Sequence, residues 1–170
     1  MGRDFFIADT HFGDERILHY EQRPFDNIDE MEEKLIQNWN ESVREEDRVY
    51  VLGDFSSETK EKNKEILNRL SGEKILIMGN HDCHITPQEW QTLGFSMAIP
   101  WPILYRGFYL LSHEPLYLNQ NMPYANLFGH VHNSPQYRDV SRQSFCISAE
   151  RIFYQPISWE TIVEKMKNIG

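Results

Sequence analysis

Five short segments gather the groups of this sequence best suited to holding metal ions: Asp9-Thr10-His11, Gly53-Asp54, Gly79-Asn80-His81-Asp82, His113, and Gly129-His130-Val131-His132. Five of the seven histidines fall inside them. Carboxylate oxygen and imidazole nitrogen bind hard and borderline divalent cations such as Mn²⁺, Fe²⁺ and Zn²⁺. Two such cations about 3.5–4 Å apart can clamp an in-line displacement at phosphorus, lowering the pKa of a bound water and drawing charge from the phosphoryl oxygens. The donor set therefore suits hydrolysis of a phosphate ester. In Asp9-Thr10-His11 and His130-Val131-His132 the ligand-type residues stand two apart, so on extended backbone they would face one side, where a pair can grip one ion or straddle two.

Each segment comes where an apolar, strand-like run ends, which lets all five meet at one edge of a sheet. Phe5 to Ala8 has the pattern of a strand buried on both faces and stops at Asp9. From Asp29 to Val43 the residues Met31, Leu35, Ile36, Trp39 and Val43 recur at steps of three and four, with acids in the first turn, and predict a helix. Arg48 to Leu52 reads as a strand delivering Gly53-Asp54, and a polar helix follows over Lys60 to Leu70, closed by Gly72. Lys74 to Met78 is a third buried strand, running into Gly79-Asn80-His81-Asp82. Thr86 caps and Pro87 opens the next helix, which Gly94 ends. Beyond it, Met97 to Ile99, Ile103 to Arg106, Phe108 to Ser112, Asn126 to Phe128 and Phe145 to Ser148 read as short strands joined by turns, so the second half is expected to be mainly β and antiparallel. A last helix starts near Ser158 with the stripe Trp159, Ile162, Val163 and Met166. No repeat, low-complexity tract or linker interrupts the chain, so a single domain over residues 1–170 is expected.

The five blocks, in this order, resemble those of the calcineurin-like metallophosphoesterase family: D-x-H, G-D, G-N-H-D/E, an isolated His and G-H-x-H. Any one block is weak evidence; the ordered set, each member after a predicted strand, is strong. The resemblance implies an α/β fold, a four-layer αββα sandwich of two mixed β-sheets flanked by helices. It implies that Asp9, His11 and His132 hold one metal, that Asn80, His113 and His130 hold the other, and that Asp54 bridges them. It further implies that His81 contacts the substrate phosphate or protonates the leaving group, with Asp82 orienting it. Asn80, a neutral oxygen donor, limits the negative charge at such a site and leaves the metals electrophilic. His81 adjoins a ligand, but neighbours on extended backbone point oppositely, which suits an acid role better than ligation.

Between the first block and the first helix, Phe12 to Phe25 mixes aromatics with arginines, and Arg16 or Arg23 could pair with substrate phosphate or serve as surface or loop anchors. This stretch resembles a small bacterial or phage-type subgroup whose loop reads H-F-G-H and ends R-P-F, except that Asp14 stands where that subgroup often has His. A second loop, Glu114 to Ala125, carries Tyr117, Asn119, Gln120, Asn121 and Tyr124 and could floor a pocket for a leaving group or be a packed crossover.

Composition narrows the rest. At 170 residues the chain can bury about two-thirds of its unfolded surface in one core. Seventeen Lys+Arg against 26 Asp+Glu, a net charge of -9, argue against a binder of long nucleic acid. Cys83 and Cys146, with no signal-like leader, fit free thiols and a cytoplasmic setting, and no apolar run approaches the roughly 20 residues of a membrane span. The expected activity is hydrolysis of a small phosphoester or nucleotide-like substrate, preferably a diester, by attack of a metal-bound hydroxide. The expected cofactors are two divalent ions, Mn first, with Fe, Ni, Co or Zn as alternatives. Phosphomonoesterase and nucleotide pyrophosphohydrolase are the nearest rivals. A non-catalytic scaffold of the same fold is a remote one, since no ligand position is missing. Oligomeric state cannot be read from the sequence.

Overall fold

The computed structural model describes residues 2–119, 121–137 and 143–167. In chain order its first half comprises β1 (Asp4–Ile7), α1 (Glu15–Tyr20), α2 (Ile28–Ser42), β2 (Arg48–Val51), α3 (Lys60–Arg69), β3 (Glu73–Ile77) and α4 (Pro87–Leu93). The second half comprises β4 (Met97–Ile99), β5 (Ile103–Tyr105), β6 (Tyr109–Leu111), β7 (Ala125–Phe128), β8 (Ser144–Cys146), β9 (Ile157–Ser158) and α5 (Trp159–Lys167). The strands form two mixed sheets, ordered β4-β3-β2-β1-β9 and β5-β6-β7-β8, with helices flanking them.

Strand alternation explains the layering. Phe5 and Ile7 of β1, Val49 and Val51 of β2 and Leu76 of β3 face a core shared with α2, α3 and α4. Their neighbours Phe6, Ala8, Tyr50, Ile75 and Ile77 face the second sheet, meeting Leu111, Leu127 and Phe145 together with Ile162 and Met166 of α5. The three strands are parallel and in step, Phe6 beside Tyr50 and Tyr50 beside Ile75, so their carboxyl ends lie along one edge. There the chain enters the first, second and third of the candidate segments.

Local chemistry fixes α2 and α4 as their sequences predict, whereas α1 forms within the stretch read as a loop, capped by Asp14. Asn27 caps α2 by accepting from the Glu30 N–H at 2.9 Å, and the stripe Met31, Leu35, Ile36 and Trp39 is buried. Each of Met31, Leu35 and Ile36 contributes roughly 1.5–3 kcal/mol by that burial. Thr86 and Glu89 form a capping box on α4, which Gly94 terminates. The buried Trp90 of α4 donates its indole N–H to the Asp82 carbonyl at 3.0 Å, tying this helix to the third candidate segment.

Among the described residues, the antiparallel arrangement expected of the second half holds for the β5–β6 hairpin and for β9, which pairs antiparallel with β1. Strand β4 joins the first sheet in parallel, and β7 pairs in parallel with both β6 and β8. The reason is connection length: parallel neighbours need crossovers of roughly a dozen residues or more, which residues 112–124 and 129–143 supply. Both crossovers carry candidate ligands, His113 in one and His130 with His132 in the other. Buried Asn126 staples the first crossover, accepting from the Leu116 N–H at 2.8 Å and donating to Ser112 Oγ and the Leu110 carbonyl, each at 2.9 Å. The loop Glu114 to Ala125 is thus a packed crossover at its start, with Tyr117 turned to solvent; Gln120 lies outside the described residues. Among the described residues no helix is long and apolar enough to cross a membrane.

Candidate metal centre

The first two segments run side by side: the Asp9 N–H donates to the Gly53 carbonyl and the His11 N–H to the Asp54 carbonyl, both at 3.0 Å. The two sheets also touch here, because Ala8 bridges to Ser148 beyond the end of β8. The third segment is clamped onto the second by Asp82. Its fully buried carboxylate accepts from the backbone N–H groups of Asp54 and Gly79 at 2.8 Å and of Phe55 at 2.9 Å. Burial pushes Asp82 up to about 6, with the nearby Asp54 charge adding to it and the backbone donors opposing. Both oxygens of Asp82 thus hold backbone, and the side chain shapes the loops on which His81 stands.

Close approach decides two glycines. Gly53, at φ +83°, sits against the His113 ring and Gly79, and Gly79 sits against the Asp54 carboxylate, so a side chain at either position would strike the centre. Extended backbone, the basis for expecting Asp9 with His11 and His130 with His132 on shared sides, is not what these residues adopt. Asp9 (φ 58°), His11 (51°), Asp54 (52°), His130 (68°) and His132 (47°) all lie in the left-handed region. That conformation is uncommon outside glycine and clusters at functional sites, where surrounding structure must hold it.

Two ligand triads result. Donor atoms of Asp9, His11 and His132 lie within 4.8 Å of one another, and so do those of Asp54, His113 and His130. Asp54 stands between the groups, its Oδ2 3.6 Å from His11 Nε2 and 3.3 Å from His113 Nε2. Asn80 Oδ1 lies 3.0 Å from His113 Nε2, and His130 Nδ1 3.1 Å from the same atom. Since the Leu52 carbonyl, 2.9 Å from His113 Nδ1, can only accept, that nitrogen carries a hydrogen and Nε2 is the one that faces Asn80, Asp54 and His130. Three lone-pair-bearing atoms around a fourth are reconciled by a proton or a cation.

Both ring nitrogens of buried His11 lack a hydrogen-bond partner. Desolvation pulls its pKa down to about 3, against the pull of Asp54, so the ring is a neutral donor. Orphaned imidazole nitrogens beside carboxylates fit divalent ions. Asp54, despite the burial that would raise it, is held at about 2 by the His113 hydrogen bond and charge, the His81 N–H and His11. His113, despite desolvation, is pushed up to about 9 by Asp54 and Asp9.

That proton competes with a cation, which gives a signed expectation. Below about pH 9 the metal-free ring is mostly protonated, so each unit of rising pH should strengthen Mn²⁺ uptake by the stripped protein about tenfold for the one proton displaced. Calorimetric Mn²⁺ titrations at about pH 6.5, 7.5 and 8.5 measure the slope; a flat response would place the ion away from His113.

Both arginines are ion-paired, Arg23 buried and Arg16 exposed. Arg23 has a side chain 0 % exposed, donating to the carbonyls of Asp9 at 2.6 Å and Thr10 at 2.9 Å and pairing with Glu150 Oε1 at 2.7 Å. It anchors the first segment, one of the two roles that the sequence leaves open for it. Arg16 is held at 2.9 Å by Asp14, which caps α1 and comes within 3.9 Å of His11 Nδ1. Glu150 went unread in the sequence. Its Oε1 lies 3.1 Å from His132 Nδ1, which leaves Nε2 of that ring for a cation, and Arg23 and His132 hold it at about 2 against desolvation. Apart from Asp139 it is the one acid between Glu114 and Glu160, which was the available signal.

Asn80, His81 and His130 are exposed and mark the open side. The His81 N–H donates to Asp54 Oδ1 at 2.9 Å, and its ring centre is 5.1 Å from that of His11.

The family model described as calcineurin-like phosphoesterase matches residues 5–164. An uncharacterised protein of Methanocaldococcus jannaschii is 35% identical over 172 residues, covering 96% of this chain and 91% of its own. The gene 66 protein of Mycobacterium phage L5 is 33% identical over 85 residues, 48% of this chain and 41% of that one. Among solved structures, a protein of unknown function from Aquifex aeolicus superposes with a TM-score of 0.75 at 27% identity, over 97% of this chain and 100% of that one.

Proposed function

From the premise that this chain belongs to the calcineurin-like phosphoesterase family, whose members hydrolyse phosphoesters with divalent metals, we propose that it is a dinuclear phosphodiesterase. The observation that carries the reading is the pair of triads, Asp9/His11/His132 and Asp54/His113/His130, with Asp54 between them. Asp9, His11 and His132 would hold one ion, Asn80, His113 and His130 the other, and Asp54 both. Bound there, two cations supply an activated water and neutralise charge developing on the phosphoryl oxygens. We place Mn²⁺ first, because carboxylate, amide and imidazole donors suit it, although the same set accepts Fe, Co, Ni or Zn.

The chain's own groups do the rest. Exposed His81, fixed through its backbone to Asp54, is placed to steady a phosphoryl oxygen or to pass a proton to the departing ester oxygen. Arg23 and Glu150 keep His132 aimed, and Asp82 keeps the Asp54 and Gly79 backbones in place. A diester is favoured over a monoester by charge: buried Arg23 is engaged by Glu150 and the Asp9 and Thr10 carbonyls, and exposed Arg16 is neutralised by Asp14 at 2.9 Å, so neither is a free cation for the second negative charge of a monoester. A small phosphoester is the substrate class, and the free thiols Cys83 and Cys146 suit the cytoplasmic setting that is part of this reading.

The test is the ratio of hydrolysis rates on bis-p-nitrophenyl phosphate and p-nitrophenyl phosphate after stripping and Mn²⁺ reloading. We expect a ratio well above one, and a drop of about a hundredfold or more in His81→Ala with Mn²⁺ content retained. A ratio below one would make the enzyme a monoesterase.

A further inference from the structure

Beside the centre, a groove of about 260 Å³ is lined by Asn80 and His113 together with Met78, Pro100, Trp101 and Pro102. Trp101 lies on the connection from β4 to β5, the link between the two sheets, with 65% of its surface exposed. Prolines on both sides restrict it: each fixes its own φ, and Pro102 biases Trp101 toward extended backbone. The backbone that carries this large apolar ring is thus restricted, which reduces the conformational entropy that binding must remove.

Resting on the phosphoesterase reading, we propose that Trp101 is the stacking platform of a subsite for a planar, uncharged ring in the ester group of the substrate, a nucleobase or another aryl group. Continuity argues for it, because Asn80 and His113 belong both to the groove wall and to the metal centre. A phosphate held there places its ester substituent within reach of the groove. Volume argues for one ring system, since the groove falls below the roughly 300–1,000 Å³ that encloses a whole drug-sized ligand. Charge argues for a neutral group: Glu114 and His113 are the ionisable side chains lining it apart from the Cys83 thiol, and no lysine or arginine does. Further phosphates would find no partner, whereas a ring face stacks on indole irrespective of its edge substituents, and Glu114 offers an acceptor to a ring N–H.

Calorimetric titration of the Mn²⁺-loaded protein with adenosine 5′-monophosphate and with ribose 5-phosphate tests this, because the two ligands share the phosphate and differ in the base. We expect the adenine compound to bind about tenfold more tightly, with the advantage falling below about twofold in Trp101→Ala and partly restored in Trp101→Phe. Equal affinities in the wild type, or an advantage that survives in Trp101→Ala, would overturn the proposal. Phenyl phosphate matching the adenine compound would support an aryl platform, and weaker binding a nucleobase platform. Turnover of bis-p-nitrophenyl phosphate without base-dependent binding would sink this inference alone. Base-dependent binding without turnover would sink the phosphodiesterase reading alone.

Discussion

Asp54→Ala is expected to reduce Mn²⁺-dependent hydrolysis below about 1 % of wild type, since even outer-shell partners of metal ligands are worth 10–100-fold. The variant should also lose most of its bound metal on dialysis. Asp54 approaches both triads, 3.6 Å from His11 and 3.3 Å from His113, and it stays ionised because its neighbours hold it at about 2. On the dinuclear reading proposed above, losing it would remove a ligand from each ion at once. The fold should survive, because Asp82 grips the backbone N–H groups at positions 54 and 55, not the Asp54 side chain. Metal analysis beside a circular dichroism melt separates the two effects. Undiminished metal content would remove Asp54 from the bridge.

Arg23→Ala should act on stability instead of on substrate affinity. Its guanidinium and the Glu150 carboxylate are buried together, 0 % and 4 % exposed, and deleting one partner of such a pair typically costs about 3–5 kcal/mol. For a chain of this size that lowers Tm by roughly 10 °C. The Glu150 carboxylate left behind would lose a cationic partner beside His132, and the Asp9 and Thr10 carbonyls would lose their donors. Thermal melts and steady-state kinetics read the two alternatives: an unchanged Tm with a severalfold higher KM would return Arg23 to the substrate phosphate.

Much of the frame is legible in the sequence because the first half follows local rules. Phe5 to Ala8, the stripe from Met31 to Trp39 and the Thr86-Pro87 helix start each specify their element within a few neighbouring residues. In the second half, strands of three residues carry too few alternations to fix pairing. The parallel placement of β7 depends on crossovers whose path is set by distant contacts such as that of Asn126 with Leu116. The ligand-type residues could be picked out by type and order, whereas their left-handed backbone could not, since Asp and His are only enriched in that region and mostly adopt others. Glu150 and Arg23 sit 127 positions apart, a pairing that no local pattern announces. Asp82 is visible as a residue, whereas the turn of its carboxylate onto the backbone of positions 54, 55 and 79 depends on how the fold brings those segments together.

The Asp9 carboxylate accepts the His130 N–H across 121 positions of sequence. Neither half can complete the centre by itself: the first sheet brings Asp9, His11, Asp54 and Asn80, and the crossovers of the second bring His113, His130 and His132. During synthesis, the earlier ligands therefore emerge long before their counterparts, and loop closure over such a span comes late in folding. A bound ion is then a ligand of the finished fold alone, adding stability only after both sheets have docked and slowing their separation thereafter. Scarcity of metal would be felt first as a shorter lifetime of the assembled protein, before any newly made chain failed to reach that state.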